Sequence, residues 1–388
     1  MNMRKSRRSV ILIKTCVSEY SSFFRPDSPE KTGSRAFAMS GSFSSSCRFP
    51  SCIRLLAVIL AGMFLLPFSG CTKRREPKAE LSLFAMDTYV RLQAEGEDAD
   101  NAVKAAASLL SELEQKLSRT LEGSEVSALN RSSKDSPVTL SEDTYRLLSS
   151  VCEYAEKTEG RFDPTIAPLM DLWGFGTEKA SVPDEKKIGE TLARVDFRRI
   201  HLLSENQAYV EEGTQVDLGG AAKGFIGQLL MEKMQSFSLS KIILDLGGNI
   251  CVWSKSSSLS VGVISPLQSD KLICICDSPE NENLFVITSG AYERYFEENG
   301  VKYGHIMDTR TGCPVVTDLL SATIIGSDGT SGDILSTTLF ALGCEEAKAF
   351  AVKEKIDCIL CAENGTLWVS SSLEGKVHEQ EGWTIRYF

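Results

Sequence analysis

Residues 216–224 read VDLGGAAKG, and this stretch decides the local fold because it joins an apolar run to a helical segment. Its tetrapeptide DLGG occurs again at residues 245–248, also directly behind an apolar run. Paired glycines at a strand-to-helix junction let backbone N–H groups approach an anion closely. The first copy therefore predicts either a phosphate cradle, to which Lys223 adds positive charge, or a tight turn without a ligand. A P-loop is excluded because its GxxxxGK[ST] spacing is absent.

Hydrophobic periodicity around this stretch predicts an α+β fold. Residues 88–94 alternate between apolar and polar side chains, as expected for a strand. A helix follows, with an apolar stripe made of Val103, Ala106, Leu110, Leu113 and Leu117. We predict further strands around residues 207–211, 241–246, 259–264, 271–276, 284–288, 319–325, 357–361 and 366–370, and further helices at 141–158, 222–235, 331–342 and 345–354. Because strands and helices do not alternate regularly, one large domain of mixed sheets and helices is predicted.

The N-terminal region predicts export and a lipid anchor. Residues 55–68 form an apolar run as long as a signal-peptide core and shorter than a comfortable membrane span. Small residues precede Cys71, a pattern typical of bacterial lipoprotein processing, so lipidation of Cys71 is predicted. An uncleaved N-terminal anchor is the alternative. The predicted organisation is a signal region 1–70, a lipidated linker 71–80 and a folded domain 81–388, attached to a bacterial membrane and facing the periplasm or cell exterior.

The region after the predicted signal is strongly acidic. Residues 1–70 hold 10 of the 42 Lys/Arg and 3 of the 52 Asp/Glu, which leaves 32 basic and 49 acidic side chains and a net charge of about −17. Such a surface argues against nucleic acid or anionic lipid as a partner, since both require a basic face. An anionic ligand would need a metal ion or a local cluster of backbone N–H groups.

The cysteines after Cys71 permit two interpretations. They number eight, and an even count outside the cytoplasm allows disulfides: Cys152, Cys251, Cys274, Cys276, Cys313, Cys344, Cys358 and Cys361. Several lie in strand-like apolar runs, where cysteine usually serves as a small core residue, and we favour this interpretation. The pair at 358 and 361 lacks a second pair, so no zinc site is predicted.

Two sets of polar residues could carry chemistry. The chain has only three histidines, and His305 lies in the polar segment of residues 303–314, three residues before Asp308. An imidazole titrates near neutral pH and therefore suits proton transfer. Asp333 and Thr337 are four residues apart, so they share a helix face, and their oxygens suit magnesium. Taken alone, an aspartate in the first turn of a helix is more often a cap.

Six blocks of the chain, in order, resemble the ApbE-like flavin transferase family. The resemblance extends from about residue 82 to residue 370, and its most distinctive block reads GRFDPTIAPL and then LWGFG within residues 160–176. The other blocks are residues 85–89, 216–224, 288–292, 305–308 and 333–337. Members of this family bind FAD and magnesium outside the cytoplasm and transfer the FMN half to a threonine hydroxyl of a partner protein, releasing AMP. The resemblance therefore implies FAD as substrate, Mg²⁺ as cofactor and an acceptor protein as partner.

The same resemblance implies roles for individual residues. His305 would be the general base that takes the proton from the acceptor threonine. Magnesium would bind the main-chain carbonyl near Gly220 and the side chains of Asp333 and Thr337. FAD and its flavin nucleotide would contact the following residues: Met86, Arg161, Phe162, Asp163, Asp217, Lys223 and Ile306.

Two positions depart from the family pattern. Thr309 replaces the proline of the usual His-x-x-Asp-Pro, which should change the rigidity of the turn more than the chemistry. Thr120 stands where family members often have a tyrosine that covers the adenine, so FAD would be held less firmly or shielded less from water. Some relatives without that tyrosine hydrolyse FAD to FMN and AMP. Three functions therefore stay open: FMN transfer, magnesium-dependent FAD hydrolysis (alone or beside transfer), and flavin binding without catalysis.

Overall fold

The computed structural model describes residues 10–11, 76–292 and 294–388. The apolar run 55–68 and the predicted lipidation site Cys71 lie outside the described residues. Within those residues, no helix combines the length and the apolar character needed to cross a membrane.

The described segments contain α-helices, two 3-10 helices and strands of very different length. The α-helices are α1 Ala99–Leu117, α2 Glu125–Leu129, α3 Glu142–Lys157, α4 Ala167–Trp173, α5 Glu185–Leu192, α6 Gly219–Gln235, α7 Gly329–Leu342 and α8 Cys344–Glu354; the 3-10 helices are Phe197–Arg199 and Ser371–Leu373. The strands are β1 Val10–Ile11, β2 Lys78–Ala85, β3 Thr88–Gly96, β4 Val138–Thr139, β5 Ile200–Leu202, β6 Gln207–Val210, β7 Leu239–Leu246, β8 Asn249–Ser254, β9 Ser260–Ile264, β10 Leu272–Asp277, β11 Leu284–Ser289, β12 Tyr295–Glu298, β13 Val301–Gly304, β14 Met307–Asp308, β15 Cys313–Pro314, β16 Leu319–Gly326, β17 Cys358–Ala362, β18 Thr366–Val369, β19 Val377–Glu379 and β20 Thr384–Tyr387.

A nine-stranded sheet in the order β2-β3-β7-β8-β11-β16-β17-β18-β20 forms the centre of the described domain. Its neighbouring strands are antiparallel, except that β18 and β20 run parallel. A second sheet has the order β1-β9-β10-β19, and smaller sheets are formed by β4-β6-β5, β12-β13 and β14-β15. The predicted α+β fold of mixed sheets and helices is confirmed.

The central sheet is buried on both faces, as strand β7 illustrates. Ile242, Leu244 and Leu246 enter a core formed with α1 and α6, whereas Ile243 enters a core shared with β9 and β10. Because successive side chains of a strand point to opposite faces, a strand between two cores needs a continuous apolar run. On the helical side, the five residues of the predicted α1 stripe are 0–5% exposed, which confirms that prediction.

The predicted strands and helices are confirmed, with bounds that shift by at most three residues. The sequence interpretation missed several short elements, among them the hairpins between residues 295 and 314. It also missed β2, which begins at Lys78, three residues before the predicted start of the domain at 81. Strands of two to four residues are too short for an alternating pattern to be distinguished from a loop.

The two DLGG copies adopt different structures. The first opens a helix, as predicted, and this helix, α6, begins at Gly219, three residues before the predicted start at 222. The second forms a tight hairpin turn, because Asp245 pairs with Ile250 across β7 and β8. Gly247 and Gly248 have φ angles of +68° and +95° in this turn, in the region that favours glycine.

The eight cysteines in the described residues are free thiols. Cys274, Cys276, Cys358 and Cys361, which lie in the strand-like apolar runs, are 0–1% exposed, so their interpretation as small core residues is confirmed. Burial raises the pKa of Cys358 and of Cys361 to about 12. These thiols stay protonated near neutral pH and are therefore poor nucleophiles.

Candidate active site

The crossing of α6 and α7 builds the centre of the site. A Cβ atom on Gly224 would lie 1.9 Å from the carbonyl oxygen of Gly329, and a Cβ on Gly329 would lie 2.3 Å from the carbonyl oxygen of Gly224. Glycine at both positions therefore lets the two helices touch backbone to backbone. Asp333 lies one helical turn after Gly329 and is thereby brought against α6.

Asp333 carries a buried carboxylate held by two amides. The residue is 4% exposed. Its Oδ2 accepts a 2.8 Å hydrogen bond from the backbone N–H of Gly224, and its Oδ1 accepts a 3.0 Å bond from Nδ2 of Asn249. In a regular helix, the Gly224 N–H would donate to the carbonyl of Gly220. Within the described residues no Lys, Arg or His forms an ion pair with Asp333, so hydrogen bonds alone hold its charge.

Thr337 lies one turn further along α7 and faces the end of β11. Its hydroxyl donates to the main-chain carbonyl of Asp333 over 3.3 Å and lies 3.1 Å from Oγ of Ser289. The Ser289 hydroxyl also lies 2.8 Å from that of Ser336. The predicted block of residues 288–292 is thus joined to the oxygen groups of α7.

These oxygen groups fit a magnesium ion. Mg²⁺ prefers carboxylate, hydroxyl and carbonyl ligands, keeps several waters and often completes its shell with substrate phosphates. The described residues contain no group of three or more His, Cys, Asp or Glu that could hold a metal, so an ion here would depend on substrate oxygens. Two observations favour a cation: the charge of Asp333 has no counter-ion, and the buried Oδ1 of Asn249 has no hydrogen-bond partner. The groups that would hold the ion are Gly220, Asp333 and Thr337.

His305 has one ring nitrogen fixed by the backbone. The backbone N–H of His305 donates to the carbonyl of Arg294 at 3.1 Å, and Nδ1 lies 3.2 Å from the same oxygen. A carbonyl only accepts, so Nδ1 carries the proton and the neutral ring leaves Nε2 as an acceptor. The nearby Asp308 does not orient the ring, because its carboxylate is bound by Arg310.

The surroundings of His305 favour its neutral form. Burial, as the largest cause, and the positive charges of Arg294 and Lys223 together lower the pKa of His305 to about 4, against the opposing hydrogen bond to the Arg294 carbonyl. The imidazole is therefore neutral at pH 7 and can accept a proton there.

Two cations beside His305 give this acidic protein a local positive field. Lys223 lies at the start of the second turn of α6, half-buried, and forms no ion pair within the described part of the chain. Arg294 donates from Nη2 to the carbonyl of Asp87 at 3.1 Å and likewise has no carboxylate partner among the described residues. Two unpaired cations beside His305, one of them near the start of α6, attract an anion, so the phosphate interpretation of the first DLGG copy gains support.

A second turn borders the site. Met86 and Asp87 have φ angles of +53° and +56° and connect β2 with β3, which is the geometry of a two-residue type I′ hairpin. The Met86 N–H donates to a carboxylate oxygen of Glu114 at 2.6 Å, which fixes the turn on α1. A Cβ on Gly247 would lie 2.1 Å from Oγ1 of Thr88, so the β7–β8 turn packs directly beside this hairpin.

Phe162 and Arg161 connect the distinctive 160–176 block to the helices. Phe162 is 6% exposed, and a Cβ on Gly220 would lie 3.0 Å from its ring, so the ring covers the start of α6. Arg161 extends the other way, with its Nη2 3.2 Å from a carboxylate oxygen of Glu346 in α8. Only Phe162 of this pair contacts a predicted magnesium ligand residue.

Asp163 is already engaged in the structure of its own loop. Its Oδ1 accepts hydrogen bonds from the N–H and the hydroxyl of Thr165 at 2.8 and 2.6 Å, and its Oδ2 accepts one from the N–H of Phe197 at 3.0 Å. Burial raises the pKa of this carboxyl, and the three hydrogen bonds oppose that rise. An FAD contact by Asp163 would have to share oxygens that these donors already occupy.

Thr309 gives one departure from the family pattern a structural role. Its hydroxyl donates to the carbonyl of Gly160 at 2.6 Å, which ties the 305–309 segment to the loop that carries Arg161. Proline has no donor for such a bond. Ile306 is 7% exposed and its side chain belongs to the apolar core around α7 and α8, so mainly its backbone is available to a ligand.

Asp217 pairs with an arginine that the sequence interpretation did not single out. Its Oδ1 accepts from the N–H of Gly219 at 2.8 Å, and its Oδ2 lies 2.8 Å from Nε of Arg119. Arg119 also binds Asp171 through Nη2 at 2.8 Å. Thr120 directly follows this arginine in the chain and is exposed.

Residues 86–360 match the model of the ApbE family. The chain belongs to the ApbE family. It is 33% identical over 266 residues to the FAD:protein FMN transferase of Treponema pallidum (strain Nichols), a match that covers 64% of this chain and 73% of that protein. It is 29% identical over 345 residues to the FAD:protein FMN transferase of Haemophilus influenzae, over 84% of this chain and 99% of that protein. The crystal structure of the ApbE protein from Thermotoga maritima has a TM-score of 0.72 and 29% identity, and covers 79% of this chain and 100% of that one.

Several residues to which the ApbE resemblance assigns roles lie close together. Asp333 contacts the helix that carries Gly220 and Lys223, and the charge of Lys223 acts on His305. Arg119, which directly precedes Thr120, pairs with Asp217, two residues before the same helix begins. The implied roles of these residues stay predictions.

Three residues of the site escaped the sequence interpretation. Asn249 directly follows the second DLGG copy, and this adjacency was the available signal. Arg119 directly precedes Thr120, which was singled out for its lack of an aromatic ring. Arg294 contributes its carbonyl to His305 and its charge to the site, and no sequence pattern indicated either contact.

Proposed function

We propose that this protein is a magnesium-dependent FAD:protein FMN transferase that moves the FMN half of FAD to a threonine hydroxyl of a partner protein and releases AMP. The observation that carries this proposal is the state of His305. Its Nδ1 is held by the Arg294 carbonyl, and its lowered pKa leaves Nε2 free to accept a proton at neutral pH. Family membership supports the transferase activity.

The proposed reaction balances as a phosphoryl transfer. The threonine oxygen forms a bond to the phosphorus on the flavin side, and the bond from that phosphorus to the bridging oxygen breaks. AMP leaves with the electron pair, and the threonine proton passes to Nε2 of His305. A positioned base of this kind contributes roughly 10²–10⁴ in rate.

The other proposed contributions concern negative charge. A bound magnesium ion would neutralise charge that builds on the phosphate oxygens. Gly220, Asp333 and Thr337 would hold this ion, and the positive charges of Lys223 and Arg294 would attract the pyrophosphate toward His305. These local charges account for how a protein with net charge −10 could bind an anionic dinucleotide.

A second candidate function is magnesium-dependent hydrolysis of FAD to FMN and AMP. The exposed Thr120 favours it, because a small side chain beside Arg119 leaves the ligand's neighbourhood open to water. In this reaction water replaces the threonine hydroxyl, and the proton again passes to His305. Binding of flavin without catalysis is the remaining alternative, and it assigns no role to a neutral base next to unpaired cations.

One experiment separates the three functions. The protein is incubated with FAD and MgCl₂, with and without an exported acceptor protein, and AMP, free FMN and protein-bound flavin are measured. Covalent flavin on the acceptor indicates transfer, AMP with free FMN in the absence of acceptor indicates hydrolysis, and no AMP leaves only binding. His305→Asn should suppress transfer while FAD binding persists; undiminished transfer would remove His305 as the base.

We also propose that Cys71 is lipidated and that the protein is held on a bacterial membrane, facing the periplasm or cell exterior. The apolar run 55–68 before Cys71 supports this location, which agrees with an acceptor outside the cytoplasm. After cell fractionation, Cys71→Ser should be depleted from the membrane fraction relative to the unmodified protein. An equal amount of both proteins in the membrane fraction would contradict lipidation at this residue.

A further inference from the structure

We infer that Asn249 is a positioning residue of the magnesium site, which fixes the Asp333 carboxylate through Nδ2 and offers Oδ1 to the ion's hydration shell. The inference rests on the magnesium dependence included in the proposed function. Asn249 lies outside the six family blocks, and the inference is that it contributes to Mg²⁺ affinity.

The first observation is the contact between the two side chains. Asn249 is 1% exposed, and its Nδ2 donates to Oδ1 of Asp333 over 3.0 Å. An ionised carboxylate accepts only, so the NH₂ group of the amide must face Asp333, and this fixes the orientation of the amide. The amide oxygen therefore points away from Oδ1 of Asp333.

The second observation is that this amide oxygen has no hydrogen-bond partner. Oδ1 of Asn249 is one of the few buried side-chain oxygens in the described residues without a hydrogen-bond partner. Buried polar atoms are nearly always paired with protein, ordered water or an ion. A hydrated cation at this position would supply a counter-ion for the Asp333 carboxylate, and one of its waters would donate a hydrogen bond to Oδ1 of Asn249.

The backbone around Asn249 is suited to hold it still. Asn249 is the first residue of β8, directly after a turn with positive φ at Gly247 and Gly248. The Gly248 N–H donates to Oδ1 of Asp245 at 3.3 Å, and Asp245 is itself 5% exposed. The bond to Asp245 and the packing of Gly247 against Thr88 fix the turn, so the backbone that carries Asn249 is held in place.

The combined effect is to immobilise Asp333. The Gly224 N–H holds Oδ2 and Asn249 holds Oδ1, so the carboxylate cannot rotate, and its remaining lone pairs keep one direction. Groups that orient metal ligands in this way typically change metal affinity by about 10- to 100-fold when they are removed. A purely structural amide would change stability and leave metal affinity untouched.

The test compares metal binding in the unmodified protein and in four variants, two of them at Asn249. MgCl₂ is titrated by calorimetry into the FAD-free protein, with and without ADP as a pyrophosphate, and the melting temperature is followed with and without Mg²⁺. Asn249→Ala should lower Mg²⁺ affinity about 10- to 100-fold. Asn249→Asp sets a second carboxylate beside Asp333, so it should lower the melting temperature without Mg²⁺ and show a larger Mg²⁺-dependent rise than the unmodified protein.

The matched control removes a buried polar group elsewhere in the sheet. Ser370 accepts from the N–H of Cys358 and donates to the carbonyl of Ile356, and it follows β18, four strands away from β8 in the sheet order. Ser370→Ala should lower the melting temperature while Mg²⁺ affinity stays unchanged.

The outcomes distinguish this inference from the proposed function. Unaltered Mg²⁺ affinity in both Asn249 variants would make Asn249 purely structural. If Asn249→Ala does not fold, a Mg²⁺-dependent rise in Asn249→Asp no larger than that of the unmodified protein overturns the inference. If the unmodified protein and Asp333→Ala respond equally little to Mg²⁺, the metal site itself is wrong, and the inference fails with it.

Discussion

Gly224→Ala should destabilise the protein and loosen its metal site together. The new Cβ would lie 1.9 Å from the Gly329 carbonyl oxygen, whereas Cβ atoms do not approach other heavy atoms within about 3.0 Å. The two helices would have to separate by about 1 Å. Overpacking of this kind typically costs about 1–3 kcal/mol, and exchange of glycine for alanine inside a helix returns only about 0.5–1 kcal/mol.

Gly189→Ala provides the matched control. Gly189 also lies inside a helix, α5, but a Cβ there would meet nothing within 4 Å. This variant should be more stable than the unmodified protein by about 0.5–1 kcal/mol, because only the helix propensity changes. Because the gain in helix propensity is common to both variants, their free energies of unfolding in urea should differ by the overpacking cost, about 1–3 kcal/mol.

The same substitution has a functional consequence. When α6 moves away from α7, the Gly224 N–H leaves Oδ2 of Asp333, so the MgCl₂ concentration for half-maximal AMP release from FAD should rise in Gly224→Ala. It should stay unchanged in Gly189→Ala. The reasoning is refuted if Gly224→Ala unfolds at the same or a higher urea concentration than Gly189→Ala.

Four further predictions concern His305, Asp333 and Thr120. Burial and the nearby positive charges of Arg294 and Lys223 lower the pKa of His305 to about 4, so kcat/KM should fall on the acid side with a midpoint near pH 4. Arg294→Gln removes one of these charges and should move the midpoint to higher pH. A midpoint near pH 6.5 in the unmodified protein would contradict this assignment. Between about pH 6.5 and pH 4 the unfolded chain binds a proton at this histidine that the folded chain does not, so unfolding free energy should fall as the pH is lowered through that window. Asp333→Ala should abolish magnesium-dependent turnover, and full activity of this variant in chelator-treated buffer would remove the metal assignment. Thr120→Tyr should shift the products from free FMN toward protein-bound flavin, and an unchanged product ratio would show that this position does not decide between water and acceptor.

Hydrophobic periodicity was a reliable guide to the elements of the core because it records which face of an element is buried. The α1 stripe and the apolar run of β7 are visible in the sequence, and both are buried as their patterns require. The short hairpins between residues 295 and 314 contain too few residues for such a pattern, although they support His305.

The geometry of the site lies beyond the reach of local sequence patterns. The contacts of Asp333 with Gly224 and Asn249 join residues 109 and 84 positions apart. The tautomer of His305 depends on the carbonyl of Arg294, a group that every residue possesses. Motifs could therefore indicate His305 and Asp333 as site residues, but the packing of α6, α7 and the β7–β8 turn gives Asp333 its partners, and the Arg294 carbonyl gives His305 its partner.

The repeated DLGG tetrapeptide gains a physical explanation from this packing. The first copy starts the helix whose Gly224 N–H binds Oδ2 of Asp333, and the second forms the turn that delivers Asn249 to Oδ1 of the same carboxylate. In each copy a glycine leaves room for a neighbouring side chain, the Phe162 ring at Gly220 and the Thr88 side chain at Gly247. The two copies thus differ in conformation, but each leads to a residue that binds the Asp333 carboxylate. A bulky residue at Gly247 should therefore disturb Asp333 from the strand side, just as Gly224→Ala disturbs it from the helix side.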